Sequence, residues 1–272
     1  MLIKYEEFIE LLKQKIPVGD ELYLALLKKI IENPERYCGL FRLSNVKNKL
    51  IQNLTQSNEI KLGDFLEDNL TICIERKGYK NLPKSLKANS QAQRYMADQL
   101  FEKNHEIYFI EQKIRDDHDS TKKRGQLSNF ISKIKLIRNK YPNLKLNAYM
   151  WFIDESMHKN INYYSEEIAK LKFSNTSLSI YYGGKLFIDL GDFDIWQNLV
   201  DNLTFYRANM SQETIIIPDF DISDEIFEAM KRLQKRELMK LLSNKEIYIK
   251  VREELFSSNY NIERIKKFYN IK

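Results

Sequence analysis

The sequence predicts an α/β fold in which a mixed central β-sheet is flanked by helices, with helical additions at both ends of the chain. Three observations carry this prediction. Residues 106–113 (EIYFIEQK) alternate like a strand. Residues 144–153 (LKLNAYMWFI) read as a further central strand. Between the two lies a helical pattern, Leu127, Phe130, Ile131, Ile134 and Ile137. A strand, a helix and another strand in that order place neighbouring strands and their crossover around one sheet.

Taken in order, residues 2–32 show apolar residues at near-helical spacing: Ile3, Phe8, Leu11 and Leu12, then Leu22, Leu24, Leu26, Leu27 and Ile30. Pro17, Val18, Gly19 and Asp20 break the run, and Pro34 ends it. A helix over 44–55 takes Ser44 as its N-cap. Residues 61–77 are the most clearly patterned helix, with Leu62, Phe65, Leu66, Leu70, Cys73 and Ile74 on one stripe and Gly78 closing it. Residues 79–93, rich in Lys, Ser and Asn, read as a loop or short extended piece. A tight turn at Lys103 and Asn104 folds the strand at 106–113 back on the one before it. After the helix at 125–140, Tyr141, Pro142 and Asn143 stop it. Further on, 165–173 is a short helix, 178–190 a hairpin around Gly183 and Gly184, 196–206 a helix, and 214–217 a short strand halted by Pro218. Ser223 starts a long helix whose apolar side runs from Ile226 to Leu241. The organisation expected is a single domain over 1–272, with its core at about 60–155, a helical layer at 1–58 and a helical region at 222–272.

Composition narrows the function classes. The 272 residues, 43% of them hydrophobic, suffice for a core without covalent staples. Cys38 and Cys73 stand alone, without the spacing of a disulfide framework or a zinc site. No apolar run approaches the ~18 residues of a membrane span, and the acidic, amphipathic start is unlike a signal peptide, so the expectation is a cytoplasmic protein with no membrane partner. Net charge is +6. The excess is concentrated: residues 111–140 hold nine Lys or Arg against four acids. Such a segment attracts phosphates.

The densest chemistry lies in 94–130. Asp98 is followed after twelve residues by Glu111, Gln112 and Lys113. Alternation puts Glu111 and Lys113 on one face of their strand, and a hairpin brings Asp98 beside them. Two close carboxylates repel when ionised, and a hard divalent cation with oxygen ligands relieves that repulsion, Mg²⁺ being the usual choice when phosphate is the substrate. A neighbouring ammonium can orient a water or stabilise transition-state charge. Downstream, the run RDDHDSTKKR supplies Arg115, His118, Lys122, Lys123 and Arg124, and the following helix adds Lys133. These six are the candidate DNA-binding residues. His118 could equally be a general base, a metal ligand or, with three aspartates around it, a solvated loop residue.

Asp98 with Glu111-x-Lys113 resembles the PD-(D/E)xK motif of nucleases, here with Ala97 where proline often stands. The run EQKIRDDHDSTKKRGQ further resembles type II restriction endonucleases of the HinfI and HpyAIV kind, over roughly residues 60–140. The resemblance implies a restriction-endonuclease-like core and Mg²⁺-dependent, sequence-specific hydrolysis of double-stranded DNA that leaves 5′-phosphate ends. Asp98 and Glu111 would then bind metal and Lys113 would serve the attacking water. By the same resemblance, Glu67 on the preceding helix is a third metal ligand and Gln126 on the following helix is directed at the active site. A symmetric target calls for a homodimer. Two other readings remain: a less specific repair or junction-resolving nuclease, and a non-cleaving DNA-binding protein on a nuclease scaffold.

Overall fold

The computed structural model describes residues 2–16, 20–38, 44–87, 94–209 and 218–271. Residues 17–19 of the expected break at 17–20, and the expected strand at 214–217, lie outside them. The chain forms two compact units, one of Met1–Leu11 with Gly63–Asn209, the other of Leu12–Leu62 with Met210–Lys272. Among the described residues no helix is long and apolar enough to cross a membrane. Cys38 and Cys73 are both free thiols.

The chain begins with helices α1 (Tyr5–Lys15), α2 (Asp20–Glu32), α3 (Glu35–Cys38) and α4 (Val46–Arg76). Here the structure corrects the sequence reading: the helices expected at 44–55 and 61–77 are one 31-residue helix. The polar stretch between them, 56–60, contains neither Pro nor Gly, so nothing interrupts the backbone ladder. Its first turn is capped by Asn45, whose Oδ1 accepts from the Asn48 amide at 2.8 Å, and not by Ser44.

In the first unit, strands β1 (Lys80–Asn81), β2 (Ser85–Lys87), β3 (Arg94–Met96), β4 (Gln99–Lys103) and β5 (Glu106–Lys113) precede helix α5 (Ser120–Lys140). Strand β6 (Lys145–Phe152), helix α6 (Ile161–Lys170), strand β7 (Thr176–Tyr182) and helices α7 (Lys185–Asp189) and α8 (Phe193–Asn209) follow. Five strands make one mixed sheet in the order β1-β4-β5-β6-β7, while β2 and β3 form a separate ribbon. β4 and β5 are antiparallel, whereas β5, β6 and β7 run parallel. Burial on both faces explains the apolar run of β6, buried from Leu146 to Phe152. The hairpin turn consists of Asn104 and His105, both at positive φ (53° and 61°), and Lys103 pairs with Glu106 across it. This is the two-residue turn whose twist matches the strands.

The predicted hairpin around Gly183 and Gly184 does not form. β7 instead ends in a left-handed Gly183 (φ 56°) and the chain enters α7, burying Leu186 and Phe187 as a helical pair. A strand parallel to its neighbour leaves by a connection and not by a tight return. α5 begins five residues earlier than the apolar stripe suggests, because Asp119 caps it, accepting from the amides of Thr121 and Lys122 at 2.9 and 2.8 Å.

The second unit closes with α9 (Asp224–Lys231), α10 (Lys235–Leu241), α11 (Glu246–Leu255) and α12 (Tyr260–Phe268). Ser223 caps α9 as expected, its Oγ accepting from the Ile226 amide at 3.2 Å. The single long helix expected after it is two, because Glu237 accepts from the Gln234 amide at 2.8 Å and restarts the helix there. Leu27, Ile30, Leu50, Phe220, Ile226, Met230, Val251 and Ile265 share this unit's core.

Candidate active site

The site grows out of the pleat of β5. Ile107, Phe109, Glu111 and Lys113 point to one face. There Phe109 stacks on Phe130 of α5 at 5.5 Å, so the core contact that docks the helix also sets the level of the polar residues beyond it. Glu111 is 3% exposed. Asp98 immediately precedes β4, and its Oδ2 accepts from the Gln112 amide at 2.8 Å, which ties the first acid to the strand that carries the second.

Lys113 bridges the two acids, its Nζ lying 3.0 Å from Asp98 Oδ2 and 2.8 Å from Glu111 Oε1, with a third bond to the Gln112 carbonyl at 2.8 Å. Burial opposes its charge, but the fields of Glu111 and Asp98 outweigh it, and its pKa stands above the ordinary lysine value. The structure thus brings Asp98, Glu111 and Lys113 together.

A second ammonium joins them. Lys133 of α5, one turn past Phe130 and 7% exposed, reaches Glu111 Oε2 at 2.5 Å and Asp98 Oδ1 at 3.4 Å. Sequence reasoning placed Lys133 among the phosphate contacts, and the structure turns it inward. The signal was present: Lys133 falls between Phe130, Ile134 and Ile137 on the apolar stripe, and a lysine there must find an acid.

Glu67 feels the charge of Asp98 but does not close a three-acid cluster with it and Glu111. α4 packs on the opposite face of the sheet, where buried Gln99 donates to the Glu67 carbonyl at 2.7 Å and accepts from Thr71 at 2.9 Å. The Glu67 side chain pairs with Lys84 at 2.8 Å. Its carboxyl titrates above the usual range, raised first by burial against the pull of Lys84, and raised further by the charges of Asp98 and Asp68. Among the described residues no three His, Cys, Asp or Glu converge on one point. Gln126 accepts from the Tyr164 hydroxyl at 2.8 Å and lies seven residues before Lys133, about 10 Å along the helix axis.

The polar run after β5 divides in two. Asp116, fully buried, is an anchor: it accepts from the Asn160 amide (2.7 Å), the Asn160 side chain (2.8 Å) and the Tyr182 hydroxyl (2.9 Å). His118 lies 3.4 Å from Asp117, and burial, then the charge of Lys122, lowers its pKa. Lys122, Lys123 and Arg124 are the third to fifth residues of α5 and do not lie in a loop before it. Lys122 and Arg124 are exposed, while Lys123 lies over the Tyr163 ring at 4.3 Å. Arg115 is half-buried. The amides expected to attract anions at this helix start are already taken by Asp119.

The donor set fits a small hard cation. Asp98 Oδ1 and Glu111 Oε2 both lie against one ammonium, so the point between them already favours positive charge, and carboxylate oxygens are the ligands Mg²⁺ takes. The sequence model described as type II restriction endonuclease, HinfI, matches residues 4–94 and 79–206. The comparisons with curated proteins and with solved structures each give no match.

Proposed function

The chain belongs to the HinfI family of type II restriction endonucleases, an enzyme family that cleaves DNA, and from that premise we propose that it hydrolyses phosphodiester bonds of double-stranded DNA at a short specific sequence with Mg²⁺, through Asp98, Glu111 and Lys113. The observation that supports these assignments is the convergence of both carboxylates on the Lys113 ammonium, within 3.0 Å of each. Asp98 and Glu111 would hold the cation. When bound, it would polarise a phosphoryl oxygen and acidify a water.

The chain's own groups do the rest. Lys113, fixed by two carboxylates and the Gln112 carbonyl, has its ammonium within hydrogen-bond reach of anything seated on those acids, where it orients the attacking water and neutralises charge that develops on the phosphate. The tie from the Gln112 amide keeps Asp98 in place before substrate arrives, so little reorganisation is needed. Lys122, Lys123, Arg124, Arg115 and His118 remain candidates for the DNA backbone, with exposed Lys122 and Arg124 the best placed for phosphates. Lys133 passes from the DNA-binding set to the acids. Glu67, held by Lys84, is left out of the ligand set, and Gln126, held by Tyr164, out of the reacting one. Scission of the P–O3′ bond leaves a 5′-phosphate, and two copies related by a two-fold axis match a symmetric target.

The test is a digest of sequenced, unmethylated plasmid with Mg²⁺, using the wild type and Lys113→Ala. Discrete fragments from the wild type and none from the variant, with duplex binding retained, are expected. Equal cutting by both proteins overturns the role of Lys113, and a wild type that cuts no DNA removes support for the reading as a whole.

A further inference from the structure

The four polar groups of the site divide their oxygens in a regular way. Asp98 Oδ2 serves Lys113 and the Gln112 amide, and Glu111 Oε1 serves Lys113. The remaining oxygens, Asp98 Oδ1 and Glu111 Oε2, both serve Lys133. One comes from the residue before β4 and the other from β5, and both are left for whatever bridges the acids. In the structure an ammonium bridges them, delivered by a separate element on a flexible four-carbon stem.

We propose that Lys133 is a displaceable stand-in for the divalent cation: its ammonium and the metal compete for Asp98 Oδ1 and Glu111 Oε2, so that metal entry requires Lys133 to withdraw. The proposal rests on the assignment of these acids as metal ligands. Its physical basis is electrostatic. With Lys113 as their sole counter-charge, the two carboxylates would keep one negative charge in excess and repel each other. With Lys133 in place the acids are held together without any metal. A divalent ion seated on the same two oxygens would lie against that ammonium, and the repulsion drives the lysine out. The free protein therefore binds the cation more weakly than its carboxylate pair would alone. A DNA phosphate near the site offers the withdrawn ammonium a second anion, so DNA and metal each strengthen binding of the other.

The experiment is titration of the DNA-free protein with Mn²⁺, the free ion being counted by electron paramagnetic resonance. Wild type, Lys133→Met, Lys133→Arg and Asp98→Asn are compared. Lys133→Met should bind Mn²⁺ roughly tenfold tighter or more, as expected when one ammonium is removed from a largely desolvated acid pair. Lys133→Arg, which keeps the charge, should stay near the wild type, and Asp98→Asn should lose the site. Should Lys133→Met fold poorly, Lys133→Gln keeps a donor toward Glu111 and should show the same gain. If the wild type and the neutral variants bind equally while Asp98→Asn abolishes binding, the stand-in role is wrong and the metal assignment survives. The same conclusion follows if Lys133→Arg binds as tightly as Lys133→Met. If no variant shows Asp98-dependent binding, both fall.

Discussion

Removing one partner from the Glu111 and Lys133 pair should destabilise the protein far more than removing both. The pair is 2.5 Å apart, and the side chains are 4% and 9% exposed, so solvent screens it little. Glu111→Gln leaves Lys113 and Lys133 facing Asp98 alone, and Lys133→Met leaves Lys113 facing two carboxylates. Breaking a buried pair from one side costs about 3–5 kcal/mol, because the other charge stays desolvated and uncompensated. For the sheet-bearing unit of Met1–Leu11 with Gly63–Asn209, a loss of that size lowers the melting point by roughly 6–20 °C. The double variant restores neutrality and should lie at least about 2 kcal/mol above the sum of the single losses. Both tryptophans of the chain, Trp151 and Trp196, fall in this unit with rings 6.3 Å apart, so urea unfolding followed by their fluorescence, in chelator, reports on the unit that holds the pair. Single losses that add within about 0.5 kcal/mol would refute the coupling.

Other perturbations test the scaffold. Asp116→Ala strands three buried donors, the Asn160 amide, the Asn160 side chain and the Tyr182 hydroxyl, and should cost about 3 kcal/mol or more by urea unfolding. Gly183→Ala puts a Cβ 2.8 Å from that of Glu155 at a residue with φ 56°, and should cost about 1–3 kcal/mol in the same assay. Burial raises the pKa of Tyr79, Tyr149, Tyr164 and Tyr182 above the ordinary 10.0, so the stability this contributes is complete below pH 10 and is lost as pH climbs toward the folded-state values. Absorbance at 295 nm should show these phenols ionising together with loss of helical circular dichroism, while Tyr181, raised to about 12, titrates earlier.

How far the fold could be read in advance depended on how local its causes are. β5 and β6 announced themselves because a pleat with buried faces dictates residue types two apart. The hairpin at Asn104 and His105 was found to within a residue for the same reason. The Gly183 turn misled, since a glycine at positive φ serves a hairpin and a strand-to-helix corner equally well. The meeting of Asp98, Glu111 and Lys113 was legible from strand alternation and the hairpin. Lys133 was visible as a residue but not in its contact with the two acids, which depends on the packing of Phe130 against Phe109. Glu67 illustrates the converse: its place on α4 suited the family pattern, and only the sheet face under that helix, with Lys84, shows where its charge is spent.

The bond from the Gln112 amide to Asp98 has an effect on folding fidelity. A hairpin zipped two residues out of step keeps every greasy side chain on its proper side, so hydrophobicity alone would tolerate the mistake, yet Asp98 would be carried about 7 Å from its mate. The same carboxylate that is assigned to the cation thus proofreads the stitching of β4 to β5. A copy threaded in that register would lose both the Gln112 tie and the meeting of Asp98 with Glu111.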